Sequence, residues 1–268
     1  MFSDIPLQEA DRKLRMKTFF NDIIKRYVEN LESSFLNKYQ KSETWESHIL
    51  TTIDFLVFIE NFLFLFTTIK AIFVRCKVND IFLKCLEPFI LTNKIKFVPN
   101  DPFREIVGYY RDLGKMKVLQ HLIVNLDITS MDSGFIKSLC LEYNLYTGLV
   151  YICTRSDNDY ITPLTKMAAV CYDNRQQGKM EEALKHGYKF LWFIKITLNG
   201  TLFPDDQIEE ERYKIVVRQI VVWMFVEDNI KIIIELDPEV AFKVFLILFQ
   251  GKAADVLSQK DDDLVLIL

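Results

Sequence analysis

Residues 101–164 read DPFREIVGYYRDLGKMKVLQHLIVNLDITSMDSGFIKSLCLEYNLYTGLVYICTRSDNDYITPL, and this stretch decides the fold class. Its apolar residues recur at three- and four-residue spacing, which is typical of amphipathic helices. Breaks at Leu113-Gly114 and Tyr143-Asn144 divide the pattern into short runs. Asp101-Pro102 and Thr162-Pro163 are typical helix starts, because the first helical turn does not need the N–H that proline lacks.

The helices predicted in this stretch are too short to bury their apolar faces alone. Ser130 or Asp132 is expected to cap the run that contains Ile136 and Leu139, and the loop at 155–159 leads to the next start. Each helical hairpin therefore needs a neighbour on both sides, as in a protein built of helical repeats. We predict an all-α fold, an α-solenoid of stacked helical hairpins with essentially no sheet.

Composition supports this fold class and excludes several functions. The chain has 268 residues, of which 50% are hydrophobic, enough for a sizeable core. Only 8 Gly and 7 Pro are present, which favours long helices over a β-sandwich. The net charge is −4 and no basic patch is evident, so nucleic-acid binding is not expected.

Five cysteines are spread singly, without a C-x-x-C pair, and their odd number argues against a disulfide framework. A reducing cytosolic setting is therefore predicted. Residues 1–11 contain three carboxylates and no apolar core segment, so they do not form a secretory signal.

Toward the N-terminus, the sequence predicts one long amphipathic helix, Leu7–Tyr39, packed on the solenoid. A coiled-coil or partner helix is the alternative.

Ile49–Val74 is the most hydrophobic run and raises the question of a membrane span. Asp54, Glu60 and Lys70 interrupt it, and charges near a bilayer centre are costly. We therefore predict a buried solenoid helix.

The proline-containing segment Val98–Pro102 is the predicted joint between two parts of the chain. Val78–Phe97, before it, is predicted to form a short helical pair. The resulting domains are an N-terminal helical segment, residues 1–100, and a central α-solenoid segment, residues 101–268.

Beyond Thr162 the predicted helices lengthen. One has a buried face that ends before Gly178, and Asp237-Pro238 starts another that Gly251 either ends or bends. Asp206 and Glu209 form a predicted capping box. The helix after it, Tyr213–Val226, is apolar on most sides and is predicted to be buried between its neighbours. The residues predicted to face inward are Leu164, Met167, Ala168 and Cys171 in the first helix, and Leu184, Tyr188, Leu191, Trp192 and Ile196 in the helix Met180–Leu198.

Recognisable catalytic and metal-binding patterns are lacking in the sequence. Neither phosphate-binding glycine loops nor a nucleophile elbow is present. His48, His121 and His186 lie far from one another and from any cysteine at ligand spacing, so a packed or surface role is preferred over metal binding.

Two groups of carboxylates could have either a catalytic or a structural role. Asp157 and Asp159 flank a loop and are a possible catalytic pair, but capping of the helix at Thr162-Pro163 is preferred. On that basis Thr162→Ala should cost about 1 kcal/mol of stability. Glu209–Glu211 suit a solvated first helical turn. We predict no catalytic, cofactor-binding or metal residues, no cofactor and no enzymatic activity, and the sequence does not identify partner-binding residues.

A series of motifs in a fixed order indicates a protein family, which apolar periodicity alone cannot do. They are Leu86–Leu91 (LEPFIL), Leu126–Asp132 (LDITSMD), Leu139-Cys140, Tyr143–Tyr146 (YNLY), Leu149–Ile152 (LVYI), Asn158–Tyr160 (NDY), Thr162–Leu164 (TPL), Gly187–Leu191 (GYKFL), Leu198–Gly200 (LNG) and Phe203-Pro204. In this order they resemble the central region of the vacuolar protein sorting-associated protein eight family, over roughly residues 83–251.

The resemblance implies an α-solenoid scaffold segment of CORVET, the class C core vacuole/endosome tethering complex. The implied role is the tethering of endosomal membranes before fusion, in protein sorting to the vacuole or lysosome. Implied partners are other tethering subunits of the class C core, with cytoplasmic, peripheral placement on endosomal or vacuolar membranes through those partners.

The family also has an N-terminal β-propeller that engages an early-endosomal Rab GTPase, and a C-terminal RING. Neither has a counterpart in this sequence, so the resemblance does not carry Rab binding over, and a fragment or truncated form is expected. Two alternatives remain open: a generic helical-repeat interaction module of another coat or scaffold complex, and a small helical protein anchored in a membrane by Ile49–Val74.

Overall fold

The computed structural model describes residues 5–35, 42–128 and 131–258, and these residues are almost entirely helical. A single two-stranded antiparallel ribbon interrupts the helices in the described part of the chain. The helices are α1 (Ile5–Phe35), α2 (Ser42–Phe58), α3 (Phe62–Phe64), α4 (Lys70–Arg75), α5 (Asn79–Leu91), α6 (Asn100–Asp112), α7 (Met116–Asn125), α8 (Ser133–Glu142), α9 (Tyr146–Ile152), α10 (Ile161–Gln176), α11 (Met180–Leu198), α12 (Glu210–Met224), α13 (Glu227–Leu236), α14 (Pro238–Phe249) and α15 (Lys252–Ser258), and the strands are β1 (Thr201–Leu202) and β2 (Asp206–Gln207).

The all-α prediction of stacked helical hairpins is confirmed. The chain forms two compact units, Met1–Asp132 and Ser133–Leu268. Within the first unit α2 packs on α5 and α6 on α7; within the second α8 packs on α9, α10 on α11 and α13 on α14. The predicted division at residues 100 and 101 lies inside the first unit and stays a prediction.

Helix α1 is a packed helix, as predicted, although residue 39, where it was expected to end, lies outside the described residues. Ile24 and Val28 are buried. The ring of Phe20 meets the edge of Phe55 in α2 at 5.5 Å between centroids. The hydroxyl of Tyr27 and Nδ1 of His48 are 2.6 Å apart. These contacts fix one face of α1 to α2.

The prediction of one buried helix over residues 49–74 is wrong, because the chain breaks between α2 and α3. Glu60 has a φ of 54°, a left-handed conformation that ends a helix. The side-chain oxygen of Asn61 then accepts a hydrogen bond from the Phe64 N–H at 3.4 Å, which starts the next helical segment. A π-helical turn, Leu65–Ile69, joins α3 to α4. Within the described residues, none of the helices combines the length and the apolar character required to span a membrane.

The prediction of a helical pair at residues 78–97 is also wrong. One helix, α5, occupies this region with Pro88 inside it, and Asn93 ends the segment in a left-handed conformation with a φ of 57°. The following residues are not helical up to α6. Ile95 and Val98 are nevertheless fully buried, and the Lys96 carbonyl accepts a hydrogen bond from the Asp127 N–H at 2.7 Å. A non-helical segment with buried side chains thus takes the place of the second helix.

In the second unit the predicted face of α10 is confirmed, whereas the predicted face of α11 is correct at Leu191 and wrong at Tyr188 and Trp192. Leu164, Met167, Ala168 and Cys171 are buried as expected. In α11, Tyr188 and Trp192 remain 47% and 40% exposed. The residues of α11 that are buried are Ala183, Gly187, Phe190, Leu191, Phe193, Ile194, Thr197 and Leu198. The actual core face is therefore rotated away from the predicted one.

The predicted capping box is replaced by the β1–β2 ribbon. Asp206 lies in β2 opposite Leu202, and α12 begins at Glu210 without a side-chain cap from Glu209. Helix α12 is less buried than predicted, since Ile215 is 57% exposed. Helices α13 and α15 were not predicted, whereas the start of α14 at Asp237-Pro238 is confirmed, with Asp237 accepting bonds from two backbone N–H groups.

All five cysteines are thiols, and four of them, Cys85, Cys140, Cys153 and Cys171, are buried. Desolvation raises the pKa of Cys140 to about 12. It also raises the pKa of Cys153 to about 12. These thiols act as apolar core side chains and stay protonated over the whole physiological range.

Candidate functional site

The NDY and TPL motifs form a structural joint between α8, α9 and α10. Oδ1 of Asp159 accepts hydrogen bonds from the Ile161 N–H at 3.1 Å and the Thr162 N–H at 2.9 Å. Nζ of Lys137, in α8, lies 3.5 Å from Oδ2 of Asp159 and 3.1 Å from Oδ2 of Asp157. Asp159 therefore caps the start of α10, and the side chain that supplies the cap is Asp159 and not Thr162.

The electrostatics of this joint favour an ionised Asp159. Partial burial acts to raise the pKa of the Asp159 carboxyl, but hydrogen bonds from the side chain and backbone of Thr162, followed by the charge of Lys137, lower it below its usual range. A carboxyl group with a lowered pKa stabilises the fold above its unfolded-state pKa, near 4, and this stability is lost as the pH falls through the folded-state pKa.

We expect Asp159→Ala to lower the free energy of unfolding by about 1–2 kcal/mol at neutral pH, since it removes a helix cap. Thr162→Ala removes only the hydroxyl group that supports the carboxylate and should cost about 1 kcal/mol or less. Denaturant unfolding at neutral and acidic pH measures both. The difference between wild type and Asp159→Ala should shrink toward acidic pH; a difference that stays constant with pH would contradict the assigned role of the carboxylate.

An apolar groove lies on the second unit, where α9, α10 and α11 meet the β1–β2 ribbon. Its volume is about 400 Å³, in the range of cavities that take one or two side chains or a small ligand. Four aromatic residues dominate the lining, and Lys189 is the charged lining residue in the described part of the chain. The lining comprises Tyr146, Thr147, Val150, Met167, Tyr188, Lys189, Trp192 and Phe203.

The wall of the groove at the ribbon is held in place by Arg155. Its Nε donates a hydrogen bond to the Phe203 carbonyl at 3.0 Å, and its guanidinium pairs with the Asp206 carboxylate. The same guanidinium lies 5.2 Å from the ring centroid of Tyr151. The ring of Phe203 then meets the edge of Trp192 at 5.5 Å. Phe203 and Trp192 are therefore presented in a fixed arrangement before anything binds.

The other wall is ordered by the tyrosines. The Tyr188 hydroxyl donates to Oδ2 of Asp237, the cap of α14, at 2.8 Å. The Tyr146 hydroxyl donates to Oδ1 of Asn144 at 2.8 Å, and its ring meets His186 at 5.2 Å. Desolvation lowers the pKa of His186, with further lowering by Lys189 and Lys185, so the imidazole is neutral near pH 7. The groove suits an apolar side chain with an anionic neighbour near Lys189.

The three histidines have separate surroundings, each within its own unit. His48 is bonded to Tyr27, His121 is exposed, and His186 packs on Tyr146. No group of three potential metal ligands exists among the described residues. Glu209–Glu211 are exposed at the start of α12, as predicted. The groove itself was missed, although Tyr188 and Trp192 stand four residues apart beside Lys185 and Lys189, a spacing that marks one helical face.

Comparisons with known proteins place these features in a family. The family model described as "Vps8 central TPR" matches residues 81–257, which include the joint and the groove. The Vacuolar protein sorting-associated protein 8 homolog of Homo sapiens is 31% identical over 144 residues, covering 53% of this chain and 10% of that protein. Vacuolar protein sorting-associated protein 8 of Saccharomyces cerevisiae is 28% identical over 95 residues, covering 35% and 8%.

The chain thus spans about a tenth of the length of the curated relatives that it matches. The mouse homolog gives the same identity and coverage as the human one. No solved structure matches significantly.

Proposed function

Since the chain belongs to the Vps8 family, through the central TPR region that covers residues 81–257, we propose that it is a scaffold segment of a CORVET-like endosomal tethering complex. The relatives are named for vacuolar protein sorting, and the proposed role is vesicle tethering before fusion on the route to the vacuole or lysosome. The proposed partners are the class C core subunits. The proposed location is the cytoplasmic face of endosomal or vacuolar membranes, and we propose no enzymatic activity, cofactor or metal.

The observation that carries this proposal is the match of residues 81–257 to the Vps8 central TPR, and the preordered aromatic groove inside these residues is the proposed contact site. Trp192 and Tyr188 are exposed aromatic side chains held by Phe203 and Asp237. Tyr and Trp in a desolvated pocket are the residue types that dominate binding energy at protein interfaces. The proposed occupant is a segment of another tethering subunit that inserts an apolar side chain and places a carboxylate at Lys189, the charged residue among the described groove residues.

The test is co-purification of class C core subunits with the tagged chain expressed in its native cells. The double variant Tyr188→Ala/Trp192→Ala should reduce recovery about tenfold or more, the loss of a binding hot spot. Tyr172→Ala is the matched control, since Tyr172 is 51% exposed on α10 and does not line the groove. Absence of these subunits with the wild-type chain would contradict the proposed function. Equal recovery with all variants would retain the function and reject the groove as the contact site.

A further inference from the structure

Helix α1 carries an exposed stripe that its packing does not use. Arg12, Met16, Phe19, Ile23 and Arg26 follow one another at spacings of four, three, four and three residues, so they share one face of the helix. All five are exposed, the three apolar ones by 58%, 62% and 45% in chain order. The face that packs on α2 is the neighbouring one, which carries Phe20, Ile24 and Val28.

The middle of α1, where this stripe lies, is rich in basic residues. Residues 12–28 contain six Lys or Arg and one Asp, a net charge of +5 in a chain whose net charge is −4. Glu9 and Asp11 lie directly before this segment and Glu29 and Glu32 directly after it, so the positive charge is confined to the middle of α1. Clusters of four to eight cations on an amphipathic helix are typical of binding to anionic lipids.

From the stripe and its charge we propose that α1 binds directly to the surface of an anionic membrane. Met16, Phe19 and Ile23 enter the boundary between headgroups and acyl chains, and Arg12 and Arg26 contact lipid phosphates at the two ends of the stripe. A coiled-coil seam is disfavoured, because such a seam needs three to four heptads and this one is bounded by arginine after two turns. The proposal does not depend on the tethering partners and lies outside the family-matched residues.

The test is co-sedimentation of the purified full chain with vesicles. Vesicles of phosphatidylcholine with phosphatidylserine should bind the chain, phosphatidylcholine alone should bind it far more weakly, and added salt should release it. The double variant Arg12→Glu/Arg26→Glu should reduce the bound fraction about tenfold or more, because it replaces two cations that attract anionic headgroups with two carboxylates that repel them. Phe19→Ser should also reduce binding several-fold.

Two matched controls separate this face from general effects. Leu14→Ser changes an apolar residue that is 64% exposed on the other side of α1, and Lys243→Glu reverses one charge on α14. Both should leave binding unchanged. Equal binding to neutral and anionic vesicles, or equal loss with Leu14→Ser and Phe19→Ser, would overturn the proposal. A chain that binds no vesicles would also overturn the proposal. If the arginine variant then loses a co-purifying subunit, the stripe is a protein interface.

Discussion

A Gly187→Leu variant is expected to lose about 3 kcal/mol or more of stability in the second unit, the upper range for overpacking in a core. Gly187 lies buried in α11 where α13 crosses it. A Cβ atom there would lie 2.3 Å from Cδ2, 2.8 Å from Cδ1 and 3.0 Å from Cγ of Leu236. Glycine inside a helix costs about 1 kcal/mol relative to alanine, and this close approach explains why a glycine stands here.

Chemical denaturation followed by circular dichroism measures the effect, and the coupling to Leu236 gives a sharper check. Gly187→Ala and Leu236→Ala should each be destabilising or neutral alone. Combined, they should cost less than the sum of the two, since shortening Leu236 makes room for the added methyl group. Additive effects, or a Gly187→Leu variant that unfolds at the wild-type denaturant concentration, would show that α11 and α13 do not meet at this point.

Phe190→Ala is expected to cost about 4 kcal/mol, as is usual when a fully buried phenylalanine is truncated. Phe190 is inaccessible to solvent, and its ring meets the edge of Trp223 at 5.7 Å. The indole N–H of Trp223 in turn donates to Oγ1 of Thr165 at 3.0 Å. Loss of the phenyl ring therefore leaves a cavity between α10, α11 and α12.

Trp192→Ala is the matched control two residues away. It removes a larger side chain, but one that is 40% exposed at the groove, so its cost in stability should be well below that of Phe190→Ala, on the order of 1 kcal/mol. The same denaturant unfolding experiment measures both. A larger loss for Trp192→Ala would mean that the inward face of α11 predicted from the sequence is the correct one.

This pair of residues shows where sequence reasoning succeeds and where it stops. The three- and four-residue spacing identifies α11 as a helix, but apolar residues surround most of its circumference between Phe190 and Leu198. Periodicity then does not determine which face is buried; contacts with Trp223 and Leu236 from later helices decide it. In α10, where polar residues fill the other face, the predicted buried face is correct.

Local signals identified some of the helix caps but none of the long-range pairs. Asp237 precedes a proline at a helix start, and its capping role was predictable from that pattern. The helix end at Glu60 gives no such signal. Its left-handed conformation is usually marked by glycine or asparagine in the sequence, and a glutamate stands here. Arg155 and Asp206 are 51 residues apart in sequence, so the wall of the groove was not accessible to reasoning about neighbouring residues.

The alkylation rate of the buried thiols can report how often the helices around them open. A maleimide reacts with a thiolate, and Cys140 and Cys153, buried and protonated, are shielded until the helices around them open. The rate of alkylation at each cysteine therefore measures how often its surroundings open, without any introduced probe. Cys85 samples the first unit, and Cys140, Cys153 and Cys171 sample the second, so one mass spectrum after a timed pulse ranks the two units by their opening frequency.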